Sequence, residues 1–559
     1  MNKSRLAFVI AFTFLLTCSG ASAQAPSAPP AQGAAPADPM DPVVDRIIER
    51  ENALVQAFAN YSPLVETYIQ NLAPDPVLGA VPKNDTYFLG KLDLTKGVTG
   101  RPLTAAPGFG SAFKNAITQI YSIRYLADGF AKLILVDGKN FSRDQYDFKY
   151  VRKEFLGEVR CLVFDVQPKA RTGDGKFFGR IWVEEKDYTI VRFNGAYGTS
   201  DSSKKYFHFD SWRQKMGPGY WLPVYVYSEE SDYGYFLGRR KLRFKAQTRL
   251  WGYNLALPDQ QDERTNLFVE SEKIRDDIAG MADLNPVLAQ RAWERQAEEN
   301  VIQRMQQTGV IAPDGEVNKV LETVVTNLEV TNNLTFDPPV RARVLLTSPL
   351  ESFTIGRTIV VSRGLIDVLP DEASLAMVLA HELAHIALDH HVNTKYAFHD
   401  RMLFDDAKTF RELVLKRDET EEAAADEKAL ELLNNSPYRD KLASAGLFLK
   451  ALQHRAPQIP NLLRPHLGNY LAEGKVIRMK PLMDGAPELE LARLDQIAAL
   501  PLGGRVRVDP WDITARLVKA EPVALQSTRE KMPFEVTPIF PFLTLQSVTN
   551  NKPQQQAGP

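Results

Sequence analysis

Between Asp371 and Val392 the chain runs through an almost unbroken apolar series, Ala373-Ser-Leu-Ala-Met-Val-Leu-Ala380, into which His381, Glu382 and His385 are set. Apolar residues fall on nearly every side of a helical projection, so this is predicted to be a buried helix and not a surface one. Asp371 can cap its start, and no Gly or Pro interrupts the run to Val392. Two imidazoles and a carboxylate inside such a helix must be satisfied by something, because unpaired buried polar groups are costly.

A metal ion would satisfy them. Residues four apart lie about 40° from each other around a helix and one turn up, so His381 and His385 project side by side. Two neutral imidazoles so placed can hold two corners of a zinc tetrahedron. Glu382 lies about 100° round from His381, where it can take a proton from water without ligating the metal. This is the H-E-x-x-H arrangement of zinc metalloproteases. The alternative is two core histidines that match the pattern by chance. His390 projects about 180° from His381 on a continued helix. It and His391 are expected at the helix end or surface, not as ligands.

At 559 residues the chain is long enough for two or three domains. Its 44% hydrophobic and 24% charged residues are ordinary for globular protein. A formal net charge of -2 gives no ground for a nucleic-acid partner or an anionic membrane. Residues 1–23 read as a secretory signal: Lys3 and Arg5 are basic, Leu6 to Leu16 is apolar, and Ala21-Ser-Ala23 is a cleavage site. Leu15-Leu-Thr-Cys18 loosely resembles a lipobox, but Thr17 fits it poorly, so cleavage after Ala23 is the preferred reading over a Cys18 lipoprotein. No later stretch reaches membrane-spanning length. The mature chain would then be soluble and periplasmic or secreted. Cys161 would be left without a disulfide partner, as a buried thiol in a strand.

The predicted class is α+β. After an Ala/Pro-rich linker at 24–42, helical spacing from Pro42 to about Leu72 opens an N-terminal β-rich domain, 43–275, built as a curved antiparallel sheet. Ala131 to Val136 reads as one of its strands. Residues 283–475 are predicted as a mainly helical domain with a small mixed sheet. In it, Ala289 to Gln307 reads as a solvated helix and Pro313 to Val325 as another. Strands follow at Val340 to Thr347 and Thr358 to Ser362, with Ser352-Phe-Thr-Ile355 as an extended segment between them. Thr420 to Leu430, Tyr438 to Gln453 and a short stretch after Pro465 read as helices. A β appendix at 476–548 and a tail at 549–559 complete the chain.

Zinc on two histidines needs a third protein ligand. Glu422 and Asp426 are one helical turn apart and can face one partner, although such pairs are common on solvated helices. From about Pro313 to Tyr470 the chain resembles the gluzincin metallopeptidases that include HtpX, BepA and the CAAX prenyl proteases. The matching features are the strands, the edge segment, Ser362-Arg-Gly-Leu365, His381-Glu-Leu-Ala-His385 and Glu422-Ala-Ala-Ala-Asp426. The resemblance implies one zinc held by His381, His385 and Glu422, with Asp426 orienting a ligand imidazole. Glu421 is the rival ligand. The family's His-Pro pair is here Arg464-Pro465-His466, so His466 is carried over as a group that stabilises the transition state or contacts zinc. The transmembrane helices of HtpX and the prenyl proteases are missing, which points to the soluble, exported branch typified by BepA. Gly179 to Arg192 resembles a hairpin of LolA-like half-barrels.

The expected activity is that of a zinc endopeptidase with Glu382 as general base. Protein or peptide substrates, unfolded ones in particular, would add a strand along an unpaired edge formed by Ser352, Phe353 and Thr354. The competing expectation is a chaperone-like or lipid-carrying envelope factor whose sheet binds cargo. The oligomeric state is left open.

Overall fold

The structure, a computed structural model, describes residues 39–103, 130–198, 208–253, 286–391 and 415–517, apart from 59, 76–78, 94–98, 131, 139, 171–174, 217–219, 236–239, 416, 464–466, 468, 474–475 and 491–505. The leader predicted at 1–23, the tail predicted at 549–559 and His466 lie outside the described residues.

Helix α1 (Asp41–Phe58) ends sooner than its sequence pattern predicts, and strand β1 (Leu64–Asp75) takes over. Pro63 lacks a backbone N–H and cannot continue a helix, and Val65, Thr67, Tyr68 and Ile69 then favour a strand. Next come β2 (Gly79–Asp93), β3 (Thr99–Pro102), β4 (Tyr146–Leu156), β5 (Val159–Pro168), β6 (Lys176–Glu184), β7 (Ile190–Gly198), β8 (Phe209–Met216), β9 (Tyr220–Tyr235) and β10 (Arg240–Trp251). They form one antiparallel sheet in the order β3-β2-β1-β10-β9-β8-β7-β6-β5-β4. The α1 helix packs Ile47, Leu54 and Phe58 into the core, and its buried Glu51 meets Arg213 of β8 through two bonds of 2.6 and 2.7 Å. Instead of the predicted strand at 131–136, Lys132–Ile134 is a 3₁₀ turn with Ile134 and Val136 buried. A short apolar run does not by itself distinguish a strand from any other buried segment. Cys161 is buried in β5, and burial pushes its thiol up to about 12, so it is inert.

The second half is mainly helical: α2 (Pro286–Gln307), α3 (Glu316–Thr331), α4 (Arg363–Val368), α5 (Glu372–Ala387), α6 (Glu419–Asn434), α7 (Leu442–Arg455), α8 (Pro460–Leu463) and α9 (Lys480–Asp484). The α2 helix is not solvated all round, since Ala297, Val301, Ile302 and Met305 share one face and are buried. The start of the helix expected after Pro465 lies outside the described residues; α8 starts upstream at Pro460, and from Asn469 the described chain forms short strands β14 (Asn469–Tyr470), β15 (Ala472–Glu473) and β16 (Val476–Ile477). Proline is well placed at a first helical position. A last hairpin pairs β17 (Val506–Val508) with β18 (Ala515–Leu517).

Strands β11 (Arg341–Leu345), β12 (Glu351–Ile355) and β13 (Thr358–Ser362) join β14 in a mixed sheet of order β11-β13-β12-β14. The β11–β13 pair is parallel and the β12–β13 pair antiparallel. The edge expected to be open at Ser352 is therefore covered: β14 pairs Glu351 with Tyr470 and Ser352 with Asn469. Further along, Arg417 Nη2 donates to the Thr354 carbonyl at 3.3 Å. A buried strand edge needs partners for its backbone groups, and the chain supplies them itself.

Two buried carboxylates of the large sheet reach the segments that flank β12 and β14. Glu66 of β1 accepts from the Ser348 N–H at 2.6 Å and its hydroxyl at 2.8 Å. Asp85 of β2 accepts the Asn461 and Leu462 N–H groups at 2.9 and 2.7 Å, capping the start of α8. A Cβ on Gly364 would lie 1.8 Å from the Ser348 carbonyl oxygen, so only glycine lets α4 approach this point. Apolar residues of β1, β2 and β10 share a continuous core with the helices around α5.

Candidate metal centre

Helix α5 is capped as its sequence predicts: the Asp371 carboxylate accepts from the Ser374 N–H at 2.8 Å. Residues 376–385 are wholly buried, including His381, Glu382 and His385. The helix stops at Ala387, short of Val392, with Leu388 as its C-cap and Asp389 at φ 56°. That left-handed residue turns the chain back, a conformation Asp tolerates better than most. His390 consequently does not continue the helical projection. Its Nδ1 comes to 2.9 Å from His385 Nδ1. His391 is half-exposed, 3.4 Å from Glu298.

Helix α6 is Ala-rich and packs on α5, and its buried face carries Ala425 and Ala429, small residues that let a neighbouring backbone approach. Asp418 caps it by accepting the Thr420 and Glu421 N–H groups. Glu422 then faces the histidines, whereas Glu421 turns toward Arg417, 3.9 Å away. His381 Nε2 and His385 Nε2 are 3.1 Å apart, and Glu422 oxygens lie 3.2 Å from the first and 3.7 Å from the second. Zinc bonds of roughly 2.1 Å in a tetrahedron imply ligand-to-ligand edges of about 3.4 Å. The triangle has that size.

The chemistry of the donor set fits as well. Neither buried Glu422 oxygen makes an aligned hydrogen bond, although Arg478 Nη2 stands 2.5 Å from Oε2. Burial, with the charges of His381, Arg417 and Arg478, holds His385 far below the ordinary imidazole range. It is therefore neutral, the form that ligates a metal. For His381, burial and Arg478 oppose protonation, but the Asp426 and Glu422 carboxylates outweigh them and raise its pKa. Asp426 Oδ1 lies 2.8 Å from His381 Nδ1, and its other oxygen accepts the Met479 N–H at 2.9 Å.

Glu382 is adjacent to these groups but outside the triangle. Its two carboxylate oxygens accept from the Ser352 hydroxyl at 2.7 Å and the Thr354 hydroxyl at 2.6 Å. Phe353, the remaining residue expected at a substrate edge, is fully buried in the core. Arg478 carries no motif in the sequence. It is buried, with Nη1 2.7 Å from His381 Nε2. Its one sequence signal is a lone arginine in the apolar run Val476-Ile-Arg-Met479. Asp426 fixes that segment by binding Met479.

Among solved structures, a LolA superfamily protein from Nitrosomonas europaea is 13% identical, with 40% of this chain and 97% of that chain covered at a TM-score of 0.18. A DUF1329 family protein from Desulfovibrio piger is 12% identical, covering 40% of this chain and 96% of that chain at a TM-score of 0.18. No curated protein matches the chain. No helix among the described residues is long and apolar enough to cross a membrane. The family comparison falls on the centre itself: residues 312–403, which contain His381, Glu382 and His385 but stop short of Glu422, match the model of Peptidase family M48, which supports a metallopeptidase reading of this region.

Proposed function

We propose that the chain is a zinc-dependent endopeptidase, exported through the leader at 1–23, that cuts extended or unfolded protein segments. The observation that carries this reading is the triangle of buried His381 and His385 with half-buried Glu422, and Glu382 beside it. The three ligands would hold one zinc, which when bound supplies Lewis acidity, polarising the scissile carbonyl and acidifying water. Asp426 orients the His381 ring, and a partner of this kind typically raises a ligand's basicity and fixes its tautomer. Glu382 takes the proton of the attacking water and passes it to the leaving amine. The Arg478 guanidinium, which only donates and now faces His381 and Glu422, would turn a donor to the negative charge developing on the carbonyl oxygen. Substrate pairs with the β12 backbone beyond the reach of β14, where the Thr354 carbonyl exchanges Arg417 for a substrate N–H. Pairing of this kind reads backbone more than side chain, which suits quality control of unfolded envelope proteins.

Metal analysis and cleavage of casein by wild type and Glu382→Gln test the reading. Wild type and variant should both carry about one zinc per chain, and the variant should cleave on the order of a hundredfold or more slowly. A wild type without zinc, or a variant that cuts at the wild-type rate, would overturn it.

A further inference from the structure

In a strand, residues two apart point to the same face. Ser352 and Thr354 therefore share the face of β12 turned toward α5, and Phe353 points away into the core. Both hydroxyls are buried, at 2% and 1% residue exposure, so water does not compete for them. Each donates to a different oxygen of one carboxylate: Ser352 to Glu382 Oε1 and Thr354 to Oε2. The terminal torsion of a glutamate is broad and weakly preferred, so a single bond would leave its plane free to turn. Two bonds from one rigid strand fix it. A carboxylate oxygen retains a further lone pair after accepting one hydrogen bond, so the hydroxyls restrict the base without occupying it. The strand is itself held by β13, by β14 and by Arg417.

We propose that Ser352 and Thr354 are positioning residues for the general base. Their hydroxyls aim the Glu382 carboxylate, so the strand that receives substrate also sets the group that activates water. This rests on the peptidase reading above. Misplacing a catalytic group by an ångström can cost up to a hundredfold in rate while binding is preserved. The effect belongs in kcat and not in KM.

The test uses the full zinc-loaded chain, a fluorogenic peptide and the variants Ser352→Ala, Thr354→Val and Thr354→Ser. Thr354→Val, which keeps the shape and loses the hydroxyl, should lower kcat by roughly tenfold to a hundredfold, with KM within about twofold and zinc retained. Thr354→Ser, which restores the hydroxyl, should recover most of the rate. A second measurement does not depend on turnover: a double-mutant cycle of Thr354→Val and Glu382→Gln on the unfolding midpoint of the metal-free chain. The pair should be non-additive, because the hydroxyl and the carboxylate answer each other. Wild-type kcat in Thr354→Val, an equal loss in Thr354→Ser, or an additive cycle would each overturn the proposal while leaving the peptidase reading intact. A wild type that binds no zinc and cuts nothing overturns both.

Discussion

Glu66 and Asp85, on the face formed by β1 and β2, and Glu422, in the candidate metal centre, are all carboxylates withdrawn from water. They differ in what answers them. Glu66 accepts from Ser348 twice and from the Tyr87 hydroxyl. Asp85 accepts from two backbone N–H groups of α8, from the Asn461 side chain and from the Tyr68 hydroxyl. Glu422 accepts no backbone or hydroxyl hydrogen bond; its oxygens turn toward two imidazole nitrogens and the Arg478 guanidinium. A fully answered buried carboxylate fixes one part of the fold to another. One that shares its site with two imidazole nitrogens, and has the Arg478 guanidinium as its charged neighbour, has the donor set a metal ion would need.

Three measurements can break or sharpen this contrast. Zinc binding should stabilise the wild-type chain by roughly 4 kcal/mol at a thousandfold excess over its dissociation constant, and Glu422→Ala should abolish that shift in the unfolding midpoint. An undiminished zinc-induced shift in Glu422→Ala would remove Glu422 from the site. Asp85→Ala leaves buried donors without an acceptor and should cost about 3 kcal/mol in denaturant unfolding, by the same amount with and without zinc. A cost that vanishes when zinc is bound would mean the two clusters are coupled and the contrast is false. The smallest effect is expected at Asp426, which touches the proposed ligand His381 and would not itself touch the metal. Asp426→Asn should weaken zinc binding by roughly tenfold, read by competition with a chelator, with little change in metal-free stability. Unchanged affinity would show that His381 is oriented by other contacts.

The sequence by itself determined the parts of this protein that are written at short range. The i, i+4 histidines, the Asp371 cap and the Glu422–Asp426 turn are local helical geometry, and the α+β class follows from periodicity. Helix ends were less legible: the reversal at Asp389 put His390 against His385, which no projection of a continued helix contains. Only the tertiary structure decided what joins those parts. Ser352 and Glu382 are 30 residues apart, Arg478 and His381 are 97, and Asp85 and Leu462 are 377. No local pattern encodes contacts of such separation, because a hydroxyl, a guanidinium or a carboxylate on a strand or turn suits solvent as well as a distant partner. The covered edge of β12 has the same origin. Its sequence specifies a strand, but whether a neighbour pairs with it depends on where the chain returns more than a hundred residues later.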